Sequence, residues 1–375
     1  MSRQDRGVAV YAHIPFCDRR CPYCHFYCFV NKDEALPLRY VEALARDLAQ
    51  YSSHLQDGIS SVYFGGGTPS VLEAEALETL CRWLKEDLGP HLQEDAEITL
   101  EVNPESARPE ALDAWTKAGV NRISLGIQSM DQDVLSFLGR LNTPESNLRA
   151  LDLCCERVDN LSIDLILATP ESTADALPSS LELVRQFPIT HLSAYLLEIH
   201  PATRFGRDVA QGRWAPRPDE EQAETYLGAV EFLGSEGFEH YELSNFARKG
   251  LTSRHNQSYW SGKTYLGLGA SAHSFDGERR WWNLADAGAW CTALEQEGSG
   301  IAGSELLDDK QKRDEEILLG LRTRDGLDPR WLSGRQQIWK QWIDAGYAEI
   351  VAGRPRLTPS GWLVMDEIAR VLAAS

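Results

Sequence analysis

Three cysteines near the N-terminus have a spacing that suits a metal cofactor. Cys17, Cys21 and Cys24 follow one another at C-x3-C-x2-C spacing, directly after a short apolar stretch. Three thiolates this close can hold three corners of an iron–sulfur cubane and leave the fourth iron without a protein ligand. An open iron can bind a substrate or cosubstrate, whereas a cluster with four cysteine ligands mainly transfers electrons. The spacing therefore predicts an iron–sulfur cluster that takes part in chemistry.

A structural zinc site is the alternative use of the same cysteines. Zinc knuckles normally add a second ligand pair some distance along the chain. His25 and Cys28 could complete a tetrahedron, but consecutive residues such as Cys24 and His25 seldom reach one metal. The spacing favours the cluster, and Cys28 is expected to be a buried thiol without a ligand role.

Other polar residues fall near the ends of predicted strands. The run Gly65–Pro69 lies between a strand and a helix, and its missing Cβ atoms would let an amino group approach the backbone carbonyls. Glu101 ends a strand, where a carboxylate suits hydrogen bonding to a ribose diol. Arg140 could pair with a carboxylate in bidentate fashion. Asp164 interrupts an apolar strand and needs a partner there. Each of these residues, taken alone, could equally have a structural role or a functional role.

The motif His255–Trp260, HNQSYW, is the second concentrated signal. Imidazole is a common axial ligand of haem iron, and the neighbouring aromatic rings could stack on a porphyrin. A lone histidine in an aromatic segment is nevertheless more often a core residue. The residues alone leave both interpretations open.

The elements that must position these residues alternate between strand and helix. Six successive β-α units before about residue 235 imply a parallel sheet with right-handed crossovers. Cys17, Gly66, Glu101 and Gln128 all lie at or just past the carboxyl ends of different strands. That distribution suits a β/α barrel better than a single crevice in an open sheet. Six units are too few for an eight-fold barrel, so we predict an α/β fold built on an open, partial (β/α)6 barrel.

The remaining chain predicts two further segments. Residues 236–309 form a connecting segment that carries the HNxxYW motif, and residues 310–375 read as a smaller α+β module with the helix–hairpin–helix order of a winged helix. Nine of the eleven tryptophans lie at or beyond Trp214, which predicts a separate aromatic core or an aromatic binding face. Residues 1–235 then constitute the barrel with its cofactors.

Composition restricts the partners and the location. The formal net charge of −19 disfavours nucleic acid and anionic lipid headgroups, so the winged-helix-like module is not expected to bind DNA. No apolar run approaches the roughly 20 residues that span a bilayer, and the polar N-terminus lacks a signal peptide. Cysteines crowded at metal-ligand spacing fit a reducing compartment. We therefore expect a cytoplasmic protein.

Several segments together resemble the HemN-like radical S-adenosylmethionine (SAM) family, which includes the oxygen-independent coproporphyrinogen III oxidases. The segments are YAHIPFCDRRCPYC, FGGGTPS, TLEVNPES, ISLGIQSMD, SIDLILATPES, HLSAYLLEIHP, YELSNFARKG, SRHNQSYWSGKTYLGLGASAHS and LTPSGWLV. The resemblance runs from about Val8 to the C-terminus. Within the family the chain is most similar to the HemW-type haem chaperones.

The resemblance implies two cofactors and a cargo. The implied ligands of a [4Fe–4S] cluster are Cys17, Cys21 and Cys24. The implied SAM site consists of Tyr11, Gly66, Gly67, Thr68, Glu101, Gln128, Arg140 and Asp164. The implied haem ligand is His255, supported by Tyr259 and Trp260. The implied work is to bind haem and pass it to haem-requiring proteins, including respiratory enzymes.

Two differences count against oxidative decarboxylation of coproporphyrinogen III, the main alternative. The oxidases carry a fourth cysteine two residues after the third, where this chain has Phe26. They also have a longer segment ahead of the cysteines, whereas 16 residues precede Cys17 here. A zinc-stabilised scaffold without enzymatic activity is a further alternative. The sequence leaves open whether SAM is cleaved, whether the chain forms a homodimer and whether it touches a membrane peripherally.

Overall fold

A computed structural model describes residues 7–172 and 176–374. The strands of the described chain are β1 (Val8–Ile14), β2 (Ile59–Gly66), β3 (Leu92–Val102), β4 (Arg122–Gln128), β5 (Asn160–Leu167), β6 (His191–Leu196), β7 (Glu239–Glu242), β8 (Asn245–Ala247), β9 (Tyr265–Leu268), β10 (His273–Phe275), β11 (Arg279–Asn283), β12 (Ile301–Leu306), β13 (Ala348–Val351) and β14 (Arg354–Leu357).

Its helices occupy the connections and the C-terminal region. They are α1 (Leu36–Ala49), α2 (Ala74–Trp83), α3 (Pro109–Ala118), α4 (Gln132–Phe137), α5 (Pro144–Cys155), α6 (Ala176–Leu181), α7 (Leu183–Gln186), α8 (Arg204–Ala210), α9 (Asp219–Ser235), α10 (Arg254–Trp260), α11 (Ala287–Gln296), α12 (Asp309–Arg322), α13 (Gln336–Asp344), α14 (Pro359–Trp362) and α15 (Met365–Ala374). No helix in the described ranges is long and apolar enough to cross a bilayer.

The six predicted β-α units form the centre of one twelve-stranded sheet. β1 to β6 lie side by side in sequence order, and each pairs with the next in parallel. Alternate residues of β1 (Val8, Val10, Ala12 and Ile14) belong to the apolar core beneath the surrounding helices. Because strand side chains alternate between faces, Tyr11 and His13 lie on the opposite, concave face. The prediction of an open, partial barrel is confirmed.

Residues 236–309 extend this sheet at both edges, which the sequence analysis did not predict. β9 pairs in parallel with the free side of β1, and β10, β11 and β12 continue the sheet in antiparallel fashion. β8 and β7 follow β6 at the other edge. These strands have three to six residues, too few for a clear period-two pattern.

The C-terminal region has its own apolar core, whereas Trp281 and Trp290 belong to the core of the barrel. Buried Ile317 and Leu321 of α12 pack with Trp339, Trp362 and other apolar residues of this region. The predicted hairpin is formed by β13 and β14. The segment ahead of the hairpin is not one continuous helix, because a 3-10 turn covers residues 329–332 and α13 itself begins at residue 336.

Asp47 is a buried carboxylate that ties α1 to the chain around β9 and β11. Its Oδ2 accepts hydrogen bonds from the backbone N–H of Gly269 at 3.0 Å and from Nδ2 of Asn283 at 3.1 Å. Burial raises the pKa of Asp47 to about 7. Because the raised pKa exceeds the usual value of about 3.9, the folded protein holds this proton more tightly than the unfolded chain does.

We expect Asp47→Asn to flatten the pH dependence of stability. The contribution of Asp47 is fully present below about pH 4 and is lost as pH rises through about 7. The wild-type free energy of unfolding should therefore fall across this window by roughly 2–4 kcal/mol more than that of the variant. Urea unfolding at a series of pH values measures the difference. The exposed Asp57→Asn is the matched control, and parallel wild-type and Asp47→Asn curves would contradict the assignment.

Candidate cofactor site

The loop between β1 and α1 carries the cysteines and is held at its base. The N–H of Phe29 donates to the carbonyl of Pro15 at 3.0 Å, and the N–H of Cys17 donates to the carbonyl of Phe29 at 3.1 Å. The N–H of Thr68 donates to the carbonyl of Phe16 at 2.8 Å. The glycine-rich turn after β2 therefore braces the cysteine loop from the side.

Each of the three predicted ligands has a different polar neighbour. Sγ of Cys17 lies 3.6 Å from Oγ1 of Thr68, and Sγ of Cys21 lies 3.9 Å from Nη1 of Arg140. Sγ of Cys24 lies 3.7 Å from Sγ of Cys28. Cys28 is buried, as expected, but its sulfur contacts the predicted ligand Cys24.

Cys28 changes the ionisation of its neighbours. Contacts with Cys17 and Cys24 raise the pKa of Cys28, so it stays a thiol. Hydrogen bonding with Cys28 is the largest cause that lowers the pKa of Cys17, and it lowers the pKa of Cys24 to about 7. Thiolate is the form that binds metals, so the loop favours the ligand form of two of its three cysteines.

In the described ranges, no three histidine, cysteine, aspartate or glutamate side chains are grouped so that they could hold one metal ion. The assignment of Cys17, Cys21 and Cys24 to an iron–sulfur cluster stays a prediction from their spacing.

The glycine run beside the cysteines is a narrow cradle. Gly66 has φ of +101°, and a Cβ there would lie 2.2 Å from the ring of His13 and 2.7 Å from the hydroxyl of Tyr11. A Cβ on Gly67 would lie 2.6 Å from the carbonyl oxygens of Ile14 and Phe16. No larger residue fits at either position without displacement. Glycine is therefore required at both positions by the close packing of the chain's own atoms, and the approach of an amino group to this backbone stays a prediction.

Tyr11 is held by a histidine that the sequence analysis missed. Nε2 of His13 lies 2.9 Å from the carbonyl oxygen of Tyr27, which can only accept, so Nε2 carries the proton. Nδ1 is then the acceptor for the hydroxyl of Tyr11 at 3.0 Å. Burial lowers the pKa of His13 to about 4, which keeps the ring neutral. Its position two residues after Tyr11, on the same face of a strand, was the available signal.

Glu101 lies beside the cradle on β3. Its Oε1 accepts from the hydroxyl of Tyr63 at 2.8 Å and its Oε2 accepts from the N–H of Gly66 at 3.2 Å. Burial raises the pKa of Glu101 to about 7. A carboxylate offers about four acceptor positions, so two remain for hydroxyl groups of a ligand.

Arg140 is the buried centre of the next group. Its Nη2 donates to Oδ1 of Asn103 at 2.8 Å and to the carbonyl of Gly126 at 3.1 Å, and Nε donates to Asn142 at 3.0 Å. Asn103 also donates to Thr68 Oγ1 at 2.7 Å, so it connects Arg140 to the cysteine loop. Asn103 was not singled out from the sequence, although it directly follows β3.

Gln128 and Asp164 complete the predicted set on the concave face. Gln128 ends β4 with φ of +66°. Its Nε2 would lie 3.0 Å from a Cβ added to Gly126. The hydroxyl of Ser124 donates to both carboxylate oxygens of Asp164, at 3.1 and 3.2 Å. Burial raises the pKa of Asp164. The structure thus brings the predicted cluster and SAM residues together across β1 to β5.

The HNxxYW motif lies inside the barrel at the end opposite the cysteine loop, with the ring of His255 6.3 Å from the ring of Tyr11. Both carboxylate oxygens of Glu97 accept from the start of α10, at 3.1 Å from the N–H of Arg254 and 3.1 Å from the N–H of His255. Nδ1 of His255 bonds to Ser61 at 3.1 Å and Nε2 bonds to Tyr259 at 3.0 Å. Burial lowers the pKa of His255 to about 3.

This placement differs from the expectation that His255 ligates haem iron. The side chain is 1% exposed, and both ring nitrogens are hydrogen-bonded. The ring of Trp260 lies 4.1 Å below the guanidinium of Arg322 on α12. In this arrangement the motif closes the barrel and contacts the C-terminal module. Both ring nitrogens of His255 bind other side chains in this arrangement, and its role as a haem ligand stays a prediction.

Comparisons with known proteins agree with the resemblance. Residues 11–184 match the family model of the Radical SAM superfamily. The chain is 34% identical to the Heme chaperone HemW of Mycobacterium tuberculosis over 97% of this chain and 94% of the relative. It is 36% identical to the Heme chaperone HemW of Synechocystis over 85% of this chain and 79% of the relative.

A solved structure supports the fold. Coproporphyrinogen III oxidase (HemN) from Escherichia coli superimposes with a TM-score of 0.80 at 21% identity, over 99% of this chain and 91% of that one. At that identity the likeness extends to the fold alone. The sequence relatives, which match over nearly the whole length, decide the family. The chain belongs to the HemW family of radical SAM proteins.

Proposed function

We propose that this protein binds haem and transfers it to haem-requiring proteins, including respiratory enzymes. The observation that carries the proposal is the 34% identity to a protein named Heme chaperone HemW across 97% of the chain. The match extends well beyond the cofactor site and takes in the C-terminal module. Phe26 in place of a cysteine further favours haem handling over coproporphyrinogen oxidation.

We further propose how the concave face holds its cofactors. Cys17, Cys21 and Cys24 ligate the cluster, and Gly66 and Gly67 receive the amino group of SAM. Tyr11, Thr68, Glu101, Gln128, Arg140 and Asp164 surround the remainder of SAM. When bound, the cluster and SAM supply one-electron chemistry. The chain's own groups would orient SAM: the carboxylate of Glu101, which already accepts from Tyr63 and Gly66, would also accept from the ribose hydroxyls.

Glu101→Gln is expected to weaken SAM binding by about 10- to 100-fold. A hydrogen bond to a charged group contributes about 1.5–3 kcal/mol, and the amide offers fewer acceptor positions than the carboxylate. Isothermal titration of the anaerobically reconstituted protein with SAM measures the change, while iron content should stay the same. The matched control is Glu94→Gln, an exposed residue of the same strand. Equal affinities of Glu101→Gln and wild type would remove Glu101 from the site.

The proposed function is tested by loading and transfer in one system. The protein is reconstituted anaerobically, mixed with haem and SAM, and then given an apo-form of a haem-requiring respiratory enzyme. We expect a stable haem complex, followed by recovery of the enzyme's activity. Release of 5′-deoxyadenosine in the same sample reports whether SAM is cleaved. Absence of haem binding, or conversion of coproporphyrinogen III to protoporphyrinogen, would overturn the proposal.

Two organisational proposals accompany this function. Residues 1–235 serve the cluster and SAM, residues 236–309 carry the HNxxYW motif, and residues 310–375 form the C-terminal module. The separate apolar core of this module supports its boundary near residue 310. A reducing, cytoplasmic location is supported by the eight cysteines, all of which are free thiols.

A further inference from the structure

We propose that haem binds at the rim of the cysteine loop, with His25 as the iron ligand and the rings of Phe26 and His200 as its support. The inference rests on the proposed haem function. It names an iron ligand outside the HNxxYW motif, so that haem binds while His255 stays enclosed. Because His25 directly follows Cys24, it also places the cargo beside the predicted cluster.

The ring of His25 stacks with two other rings. Its centroid lies 4.6 Å from that of Phe26 at an interplanar angle of 28°, and 5.2 Å from that of His200 at 18°. His25 is exposed, and the side chain of Phe26 is 59% exposed. Covering an apolar ring that faces water is favourable. The stack therefore offers an apolar surface and an imidazole at the same place.

The stacked arrangement is compatible with iron ligation by His25. Stacking covers the faces of an imidazole, whereas its nitrogens lie on the edge of the ring. The lone pair of an imidazole nitrogen lies in the ring plane, so a bound iron lies in that plane and the macrocycle is perpendicular to the ring. A macrocycle bound to His25 therefore runs along the stack. It covers the edges of Phe26 and His200 rather than lying flat on either ring.

Hydrogen bonding selects His25 rather than His200 as the ligand. The N–H of Ala202 donates to Nδ1 of His200 at 3.2 Å, so Nε2 carries the proton of the neutral ring and neither nitrogen has a free lone pair. In the described part of the chain, the nitrogens of His25 have no hydrogen-bond partner. Of the nine histidines, only His25 and His273 are exposed.

The supporting ring is held against the cysteine loop. The N–H of Phe205 donates to the carbonyl of Pro22 at 3.0 Å, which joins the start of α8 to this loop. Oγ1 of Thr203 donates to the carbonyl of His200 at 2.7 Å and accepts from the N–H of Gly206 at 3.0 Å. His200 is therefore tied to the same helix end that contacts the cysteine loop.

The cysteine loop also supplies positive charge for the propionates of haem. Arg19 and Arg20 are exposed, and within the described ranges neither forms an ion pair. Two unpaired cations in one loop stand out on a chain with a net charge of −19. Guanidinium groups form strong hydrogen bonds with carboxylates. The loop therefore provides an iron ligand and a counter-charge together.

Spectroscopic titration of the anaerobically reconstituted protein with haem tests the inference. His25→Ala should weaken haem binding about 10-fold or more and shift the Soret band, because the iron loses its imidazole ligand. Added imidazole should restore the wild-type spectrum. His200→Ala removes the support but keeps the ligand, so it should weaken binding by about 2- to 10-fold without a Soret shift. His273→Ala, which removes the other exposed histidine, is the matched control and should bind haem like wild type.

Two further variants complete the test. Iron and sulfide content should stay the same in His25→Ala, and His25→Gln, which keeps a polar side chain in the loop, repeats the titration if they fall. Replacing both Arg19 and Arg20 with glutamine should weaken haem binding and reduce its dependence on salt, because salt screens exposed ion pairs.

The outcomes separate the inference from the function on which it rests. If wild type does not bind haem, the proposed function fails and the inference fails with it. If wild type binds haem and the cluster-loaded His25 variants have the same affinity and the same Soret band, the inference alone is wrong. A Soret shift in the His25 variants that imidazole reverses, with His273→Ala unchanged, would support it.

Discussion

Replacing any one of Cys17, Cys21 or Cys24 with serine is expected to leave the anaerobically reconstituted protein with almost none of its iron and sulfide. The thiolate is the ligand that iron–sulfur clusters require, and a serine hydroxyl is a harder donor that stays protonated near neutral pH. With two ligands left, the cluster should not survive desalting. Iron and acid-labile sulfide analysis, with the visible absorption band, measures the loss.

Two other cysteines provide the controls for this experiment. Cys81→Ser lies on α2, away from the loop, and should keep the full cluster. Cys28→Ser should also keep it, because Cys28 contacts the ligands as a thiol. Serine replaces the thiol donor with a hydroxyl donor beside Sγ of Cys24, so the variant should shift the reduction potential instead. If the cluster survives Cys21→Ser but not Cys28→Ser, then Cys28 rather than Cys21 is the third ligand.

His255→Ala is expected to lower the free energy of unfolding by about 2–4 kcal/mol, the range for breaking a buried hydrogen-bonded group and leaving a cavity. The ring fills the barrel beside Tyr63, with a centroid separation of 5.0 Å. Its removal also leaves the hydroxyls of Ser61 and Tyr259 without their partner. Urea unfolding followed by circular dichroism measures the change.

The same helix supplies a control for His255→Ala. Gln257 is exposed on α10, and Gln257→Ala should change stability by no more than about 0.5 kcal/mol. A His255→Ala protein as stable as wild type, but unable to bind haem, would restore His255 as a ligand. The enclosed position described above would then be one of two states of the motif.

The barrel and most of its site could be predicted because the relevant signals are local. Gly119 ends α3 with φ of +117°, and a glycine directly after a helical segment is a local signal of this kind. Glu101 and Gln128 were conspicuous as polar residues at the ends of apolar strands. Parallel strands bring such ends to one edge, so the convergence of these residues followed from the fold class.

What could not be predicted depends on contacts between distant residues. Asn103 matters because it joins Arg140 to Thr68, and nothing within the segment around Asn103 indicates that link. The burial of His255 depends on Glu97, which is far away in sequence and caps α10 through the backbone. The short strands β9 to β12 are formed by pairing across the sheet rather than by a pattern of their own.

The position of β1 between β2 and β9 has a consequence for the order of events during synthesis. A nascent chain that ends before residue 265 exposes one side of β1, with its unpaired N–H and C=O groups, and such free edges promote aggregation. Tyr40, whose hydroxyl donates to the carbonyl of His13 and accepts from the N–H of Ala270, also acquires its second partner late. The cysteine loop directly follows this strand. Stable cluster insertion should therefore wait until the ribosome has released the segment that contains β9, and a product that stops at residue 235 should be degraded rather than loaded.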